Sequence, residues 1–81
     1  MYMNIKDNIK EFFIEKEYIN QNQIVNESDS LLEAGILDSV GMIELIDFIE
    51  NLYKISIDED DLLPENFDTL LAIENYVKSK I

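Results

Sequence analysis

Within the stretch GILDSVGMIEL, residues 35–45, one serine stands directly after an acid and directly before a run with helical spacing. Asp38 is a good N-cap, because its carboxylate can accept N–H groups of the first turn. Ser39 then occupies the first helical position. A serine nucleophile needs a base beside it, and the chain contains no histidine. It contains no cysteine either, which excludes thiol nucleophiles, disulfides and thiolate metal sites. The acidic run Asp58, Glu59, Asp60, Asp61 invites a calcium loop, but such a loop needs glycine at its sixth position and glutamate at its twelfth. Counting from Asp58, those positions hold Leu63 and Thr69. The run therefore reads as helix-start chemistry, where acids are favoured, and no metal site is expected. Paired carboxylates arise by chance in so acidic a chain. From these residues alone Ser39 reads as an ordinary first helical residue beside its cap, and a self-contained catalytic site is not expected.

The elements that must position it follow from periodicity. Ile5, Ile9, Phe12 and Phe13 fall on one stripe and predict a helix over residues 3–18. INQNQIVNESDSLLEAG lacks helical period and predicts a long loop, with Ile24, Leu31 and Leu32 as its anchors to the core. Gly35 can take a positive φ and turn the chain toward Asp38. A second helix runs from Ser39 to Tyr53. Its inward stripe is predicted as Ile43, Ile46, Ile49, Leu52 and Tyr53, with Leu45 adjoining. Gly41 lies in its first turn, where glycine costs about 1 kcal/mol against alanine. KISID reads as an extended linker, since no other strand could pair with it. A short third helix is predicted near residues 59–63, stopped by Pro64. A last helix is predicted over FDTLLAIENYVKSK, capped by Asp68, with Leu70 or Leu71, Ile73, Tyr76 and Val77 facing inward. The fold class is all-α: a small four-helix bundle with three longer helices, a short third helix and a long first loop.

The chain has 81 residues, enough for a single domain over residues 1–81. Its formal charge is −12. All six basic residues are lysines, and none lies between Lys16 and Lys54, where eight acids do. Such a field repels nucleic acid and anionic membranes and attracts proteins with basic patches. Hydrophobic content of 47% is too high for a disordered tail. No apolar run is long enough to span a bilayer, and MYMNIKDNIKEFF has no signal-peptide core. A cytoplasmic monomer is expected.

The order of these elements, the acidity and the motifs LLEAG, LDSVGMIEL and ISIDEDDLLPENFDTLLAIENYV together resemble the acyl carrier protein superfamily, over nearly the whole chain. The superfamily includes fatty-acyl, polyketide, peptidyl and D-alanyl carriers. The resemblance implies that Ser39 receives 4′-phosphopantetheine from coenzyme A through a phosphopantetheinyl transferase. It implies that Asp38 helps the transferase and its magnesium engage the site. The arm would carry an acyl or aminoacyl group as a thioester between partner enzymes, and the chain itself would not be an enzyme. Val40, Met42, Glu44 and Asp47, on the outward side of the second helix, are the implied docking residues. Two positions depart from housekeeping fatty-acid carriers: Gly41, where those usually carry an acid, and Asp47, where they commonly carry an exposed apolar residue. GILDSVGMIEL looks more like D-alanyl carriers and stand-alone carriers of specialised pathways, and PENFDT more like the latter. The preferred reading is a stand-alone carrier loaded by an adenylating ligase and unloaded by acyl-accepting or condensing enzymes. The alternatives are a D-alanyl carrier for cell-wall polymers, or an unmodified acidic helical module that binds a basic protein.

Overall fold

The computed structural model describes residues 4–81, so the predicted helix start at residue 3 lies outside the described residues. Helix α1 spans Ile5–Glu15, α2 Ser39–Tyr53, α3 Pro64–Phe67 and α4 Leu70–Lys80, with a 3₁₀ turn at Glu59–Asp61 before α3. The four helices and the long loop enclose one core, built from residues such as Ile9, Phe13, Leu31, Leu45, Phe67 and Ile73. Both α1 and α3 pack against α4.

The side chain of Asn4 opens α1 by accepting the Asp7 N–H at 2.8 Å. Ile5, Ile9, Phe12 and Phe13 are its buried stripe, as the spacing predicts. The helix stops at Glu15 rather than at residue 18. Glu17 takes a left-handed φ of 63°, and the Tyr18 N–H turns back to the Phe13 carbonyl at 2.8 Å.

Helix α2 has the predicted bounds and the predicted cap, but a different inward face. Gly41, Leu45 and Ile49 are buried, at a strict spacing of four. Met42 and Phe48 flank them, half-buried. Ile43 is 62% exposed and Leu52 45% exposed, so neither belongs to the core. Two apolar stripes overlap on this helix, and tertiary packing selects the one that contains the glycine.

The loop is anchored by Ile19, Val25, Leu31, Ile36 and Leu37, all buried. Of the predicted anchors only Leu31 is buried, while Ile24 is 85% exposed and Leu32 39%. Residues 54–58 carry no regular structure, and Ile55 and Ile57 rest against the core. Pro64 does not stop a helix but starts one. At the first position of α3 its missing N–H leaves nothing unpaired. Asp61 fastens this region to α4: its carboxylate accepts the Tyr76 hydroxyl at 2.8 Å and lies 3.8 Å from Lys80 Nζ.

The cap of α4 is Thr69, whose Oγ1 accepts the Ala72 N–H at 3.0 Å. Asp68, the predicted cap, instead clamps the loop. Its carboxylate accepts Ser30 Oγ at 2.6 Å and the Leu32 N–H at 3.0 Å, and its carbonyl accepts the Leu31 N–H at 2.7 Å. On the inward face of α4, Leu70 is buried and Leu71 is 36% exposed, which decides between the two. Ile73 and Val77 complete that face. Thr69→Ala is expected to cost about 1 kcal/mol, the usual loss of a helix cap, measured by urea unfolding.

Candidate functional site

The approach to Ser39 is built by one turn. Gly35 adopts φ 74° with nothing near its missing side chain, so its role is conformational. The carbonyl of Leu31 accepts the Ile36 N–H at 3.0 Å and the Leu37 N–H at 3.2 Å. Ile36 and Leu37 then bury their side chains, and the next residue, Asp38, emerges at the surface. Asp38 is extended at φ −112°, and its Oδ1 accepts the Gly41 N–H at 2.7 Å. Its carbonyl accepts the Met42 N–H at 2.9 Å.

Ser39 is exposed at the first position of a 15-residue helix. Its hydroxyl makes no hydrogen bond among the described residues, and the chain has no histidine to serve as its base. The N–H groups of Ser39 and Val40 belong to the first turn, which has no intrahelical acceptor. They mark the positive end of the helix dipole, where a phosphate is favoured. Ser39 also stands at the edge of a groove of about 250 Å³. Leu32, Met42, Ile46, Leu62, Leu63 and Phe67 line it, so its wall is mainly apolar. An exposed hydroxyl, unpaired helix-start N–H groups and an adjoining apolar groove fit a phosphodiester that bears a long, largely uncharged arm.

The residues named for docking separate into three sets. Val40, 65% exposed, and the exposed Asp47 face solvent. Met42 does not: it is half-buried, packs against the core and lines the groove. Glu44 is half-buried and accepts the hydroxyl of Tyr18. The apolar residue that stands outward beside Val40 is Ile43. Its spacing to Ile46 and Ile49 is equally helical, so periodicity alone places it in the core stripe. Its spacing of three from Val40 and four from Asp47 was the available clue.

Tyr18 is the second residue that sequence reasoning missed. No local pattern marks it, because its hydrogen-bond partner, Glu44, lies 26 positions away. Its hydrogen bond to Glu44, its burial and the nearby charges of Glu44 and Asp38 push its phenol up to about 12. Burial, the hydrogen bond to Asp61 and neighbouring acids push Tyr76 up to about 12 as well. An unfolded tyrosine ionises near about 10. Both phenols therefore contribute stability that is present below pH ~10 and lost as pH rises toward 12. Absorbance titration at alkaline pH should show two late-ionising tyrosines, and Tyr18→Phe should remove one.

Among the described residues no three acids converge as a metal site, and no helix is long and apolar enough to cross a membrane. Fold and site together define a small helical domain that exposes a serine hydroxyl at the start of its longest helix, directly after a capping acid. The family described as phosphopantetheine attachment site matches residues 7–77, and the chain belongs to that family. Members of the family carry 4′-phosphopantetheine covalently, and the helical bundle is the fold that the resemblance to acyl carriers implied. Comparison with curated proteins gave no match.

Proposed function

We propose that Ser39 is the attachment residue and that the chain is a stand-alone carrier of acyl or aminoacyl groups in a specialised pathway. The observation that carries this reading is an exposed, unpartnered serine behind the Asp38 cap, inside the span that matches the attachment family. Ser39 Oγ would attack the pantetheine-side phosphorus of the coenzyme A pyrophosphate; the new P–O bond would form as the pyrophosphate bond breaks and 3′,5′-ADP leaves, and the hydroxyl proton would pass to a base on the transferase. Asp38 holds the turn through the Gly41 N–H, and its exposed carboxylate, one residue before Ser39, is where the transferase and its magnesium would engage. When bound, the arm supplies a terminal thiol that holds cargo as a thioester. An adenylating ligase would load it and an acyl-accepting or condensing enzyme would unload it. We place the protein in the cytoplasm, as a monomeric single domain that is a substrate of these enzymes and not itself an enzyme.

Docking is assigned to the outward face of α2. Val40 and Ile43 form an exposed apolar pair, with Asp47 exposed and Glu50 half-buried beside them. That face suits a partner patch that is basic at its rim and apolar at its centre. The test is incubation with coenzyme A, magnesium and a broad-specificity phosphopantetheinyl transferase, followed by intact mass and peptide mapping. One phosphopantetheine on the peptide containing Ser39 is expected. No addition with several active transferases would leave the acidic interaction module as the better reading.

A further inference from the structure

Gly41 is unexplained by attachment chemistry, and Tyr18 lies outside the motif, yet the two meet at the site. Gly41 is buried in the first turn of α2. A β-carbon there would lie 3.2 Å from Leu37 Cδ2, 3.3 Å from Asp38 Oδ1 and 3.5 Å from Tyr18 Cζ. The space that a side chain would fill is taken by the residue before the cap, the cap carboxylate and the tyrosine ring. Tyr18 arrives there because the left-handed Glu17 ends α1 and the Tyr18 N–H closes onto the Phe13 carbonyl at 2.8 Å. Its ring stands edge-on to Phe12, with centroids 6.2 Å apart. Its hydroxyl reaches past the first turn of α2 to Glu44 in the second. The ring is thus held from the α1 side and the hydroxyl from the α2 side.

We infer that Tyr18 and Gly41 form a positioning pair that backs the Asp38–Ser39 turn and sets the orientation in which Ser39 is presented for modification. The inference rests on the assignment of Ser39 as the attachment residue. A helix start is the part of a helix most free to fray, because its leading N–H groups lack intrahelical acceptors. Here the turn is fastened from within by two bonds to Asp38, to the Gly41 and Met42 N–H groups. The cap oxygen in the first of these bonds lies close to the missing β-carbon. An alanine at position 41 would press on Leu37 and on that oxygen, shifting them by a few tenths of an ångström, while its methyl would come into van der Waals contact with the Tyr18 ring. Glycine at this position leaves room for the cap carboxylate and Leu37: it lets α1 brace the turn from behind while the hydroxyl of Ser39 stays in solvent.

The experiment compares the wild type with Tyr18→Phe, Tyr18→Ala and Gly41→Ala as substrates of the same transferase, with coenzyme A and magnesium, at a temperature where circular dichroism shows each folded. Tyr18→Ala and Gly41→Ala should lower kcat/KM about tenfold, through KM, because a docked enzyme can impose the geometry that the free turn no longer holds. Tyr18→Phe keeps the ring against Gly41 and should stay within about threefold of wild type. Amide exchange at Gly41 and Met42 should quicken in Tyr18→Ala, while the α4 amides of Ile73 and Val77 keep their protection. A folded Tyr18→Ala protein with wild-type KM and unchanged exchange would overturn the inference. So would a Tyr18→Phe variant as impaired as Tyr18→Ala, since the ring contact would then count for nothing. A wild-type protein that takes up no phosphopantetheine would overturn the carrier reading, and this inference with it. Loading of the wild type alongside an unimpaired Tyr18→Ala would overturn this inference alone.

Discussion

Ser39→Ala should take up no phosphopantetheine under conditions where the wild type loads completely, while its thermal unfolding stays where it was. The loss should be total because no other serine shares its setting. Ser30 Oγ donates to Asp68 at 2.6 Å and accepts the Glu33 N–H at 3.1 Å, so it is committed to holding the loop. Ser79 donates to the Tyr76 carbonyl at 2.6 Å in the last turn of α4. There the helix dipole presents its negative end, which opposes a phosphate. Ser28 and Ser56 are exposed but open no helix. Stability should be unmoved because Ser39 is exposed and its hydroxyl makes no hydrogen bond among the described residues. Surface changes of that kind usually fall within about 0.5 kcal/mol. Intact mass reads the first effect and a melting curve the second. A residual mass gain in Ser39→Ala would place attachment elsewhere and remove the main support for the site.

The start of α2 was legible in the sequence because its causes are local. A capping acid acts over three residues and a turning glycine over two. Both Asp38 and Gly35 do what their residue types allow. Which side of α2 faces inward was not legible. On a helix that carries Val40, Met42, Ile43, Leu45, Ile46, Phe48, Ile49 and Leu52, spacing alone admits more than one buried stripe. Tyr18 and Leu37, both upstream of α2, close over Gly41 and select the stripe that contains it. Asp68 and Thr69 illustrate the same limit, since either side chain can cap. Asp68 is drawn away by Ser30 and Leu32, more than thirty positions earlier in the chain. Proline breaks helix interiors, which makes Pro64 look like a stop, but the same residue is well suited to a first position, and only the path of the chain around it decides. The same ambiguity covers Ile43 and Met42: spacing places Ile43 inward and Met42 outward, whereas Ile43 is exposed and Met42 packs against the core.

Leu31→Ala should be among the most damaging single changes outside the helices. Leu31 has no exposed surface. Truncating a fully buried leucine costs about 2–5 kcal/mol, more when the surroundings cannot close over the cavity. A chain of this length has roughly 4–12 kcal/mol of total stability. The neighbours of Leu31 are poorly placed to close in. Its N–H is held by the Asp68 carbonyl at 2.7 Å, and its own carbonyl holds the Ile36 and Leu37 N–H groups. The backbone is thereby pinned over the space the side chain would vacate. The same pinning ties the loss to function, because those two N–H groups set the turn that delivers Asp38 and Ser39. Ile24→Ala is the matched control: the same loop and a similarly sized aliphatic, but 85% exposed, so a change within about 0.5 kcal/mol is expected. Urea unfolding of the two variants should differ by at least about 2 kcal/mol. Near the unfolding midpoint Leu31→Ala should also load more slowly, in proportion to the fraction folded. Equal stabilities would mean that the loop is not held by its buried leucine. The turn before Ser39 would then depend on its backbone hydrogen bonds and on the Asp68 clamp alone.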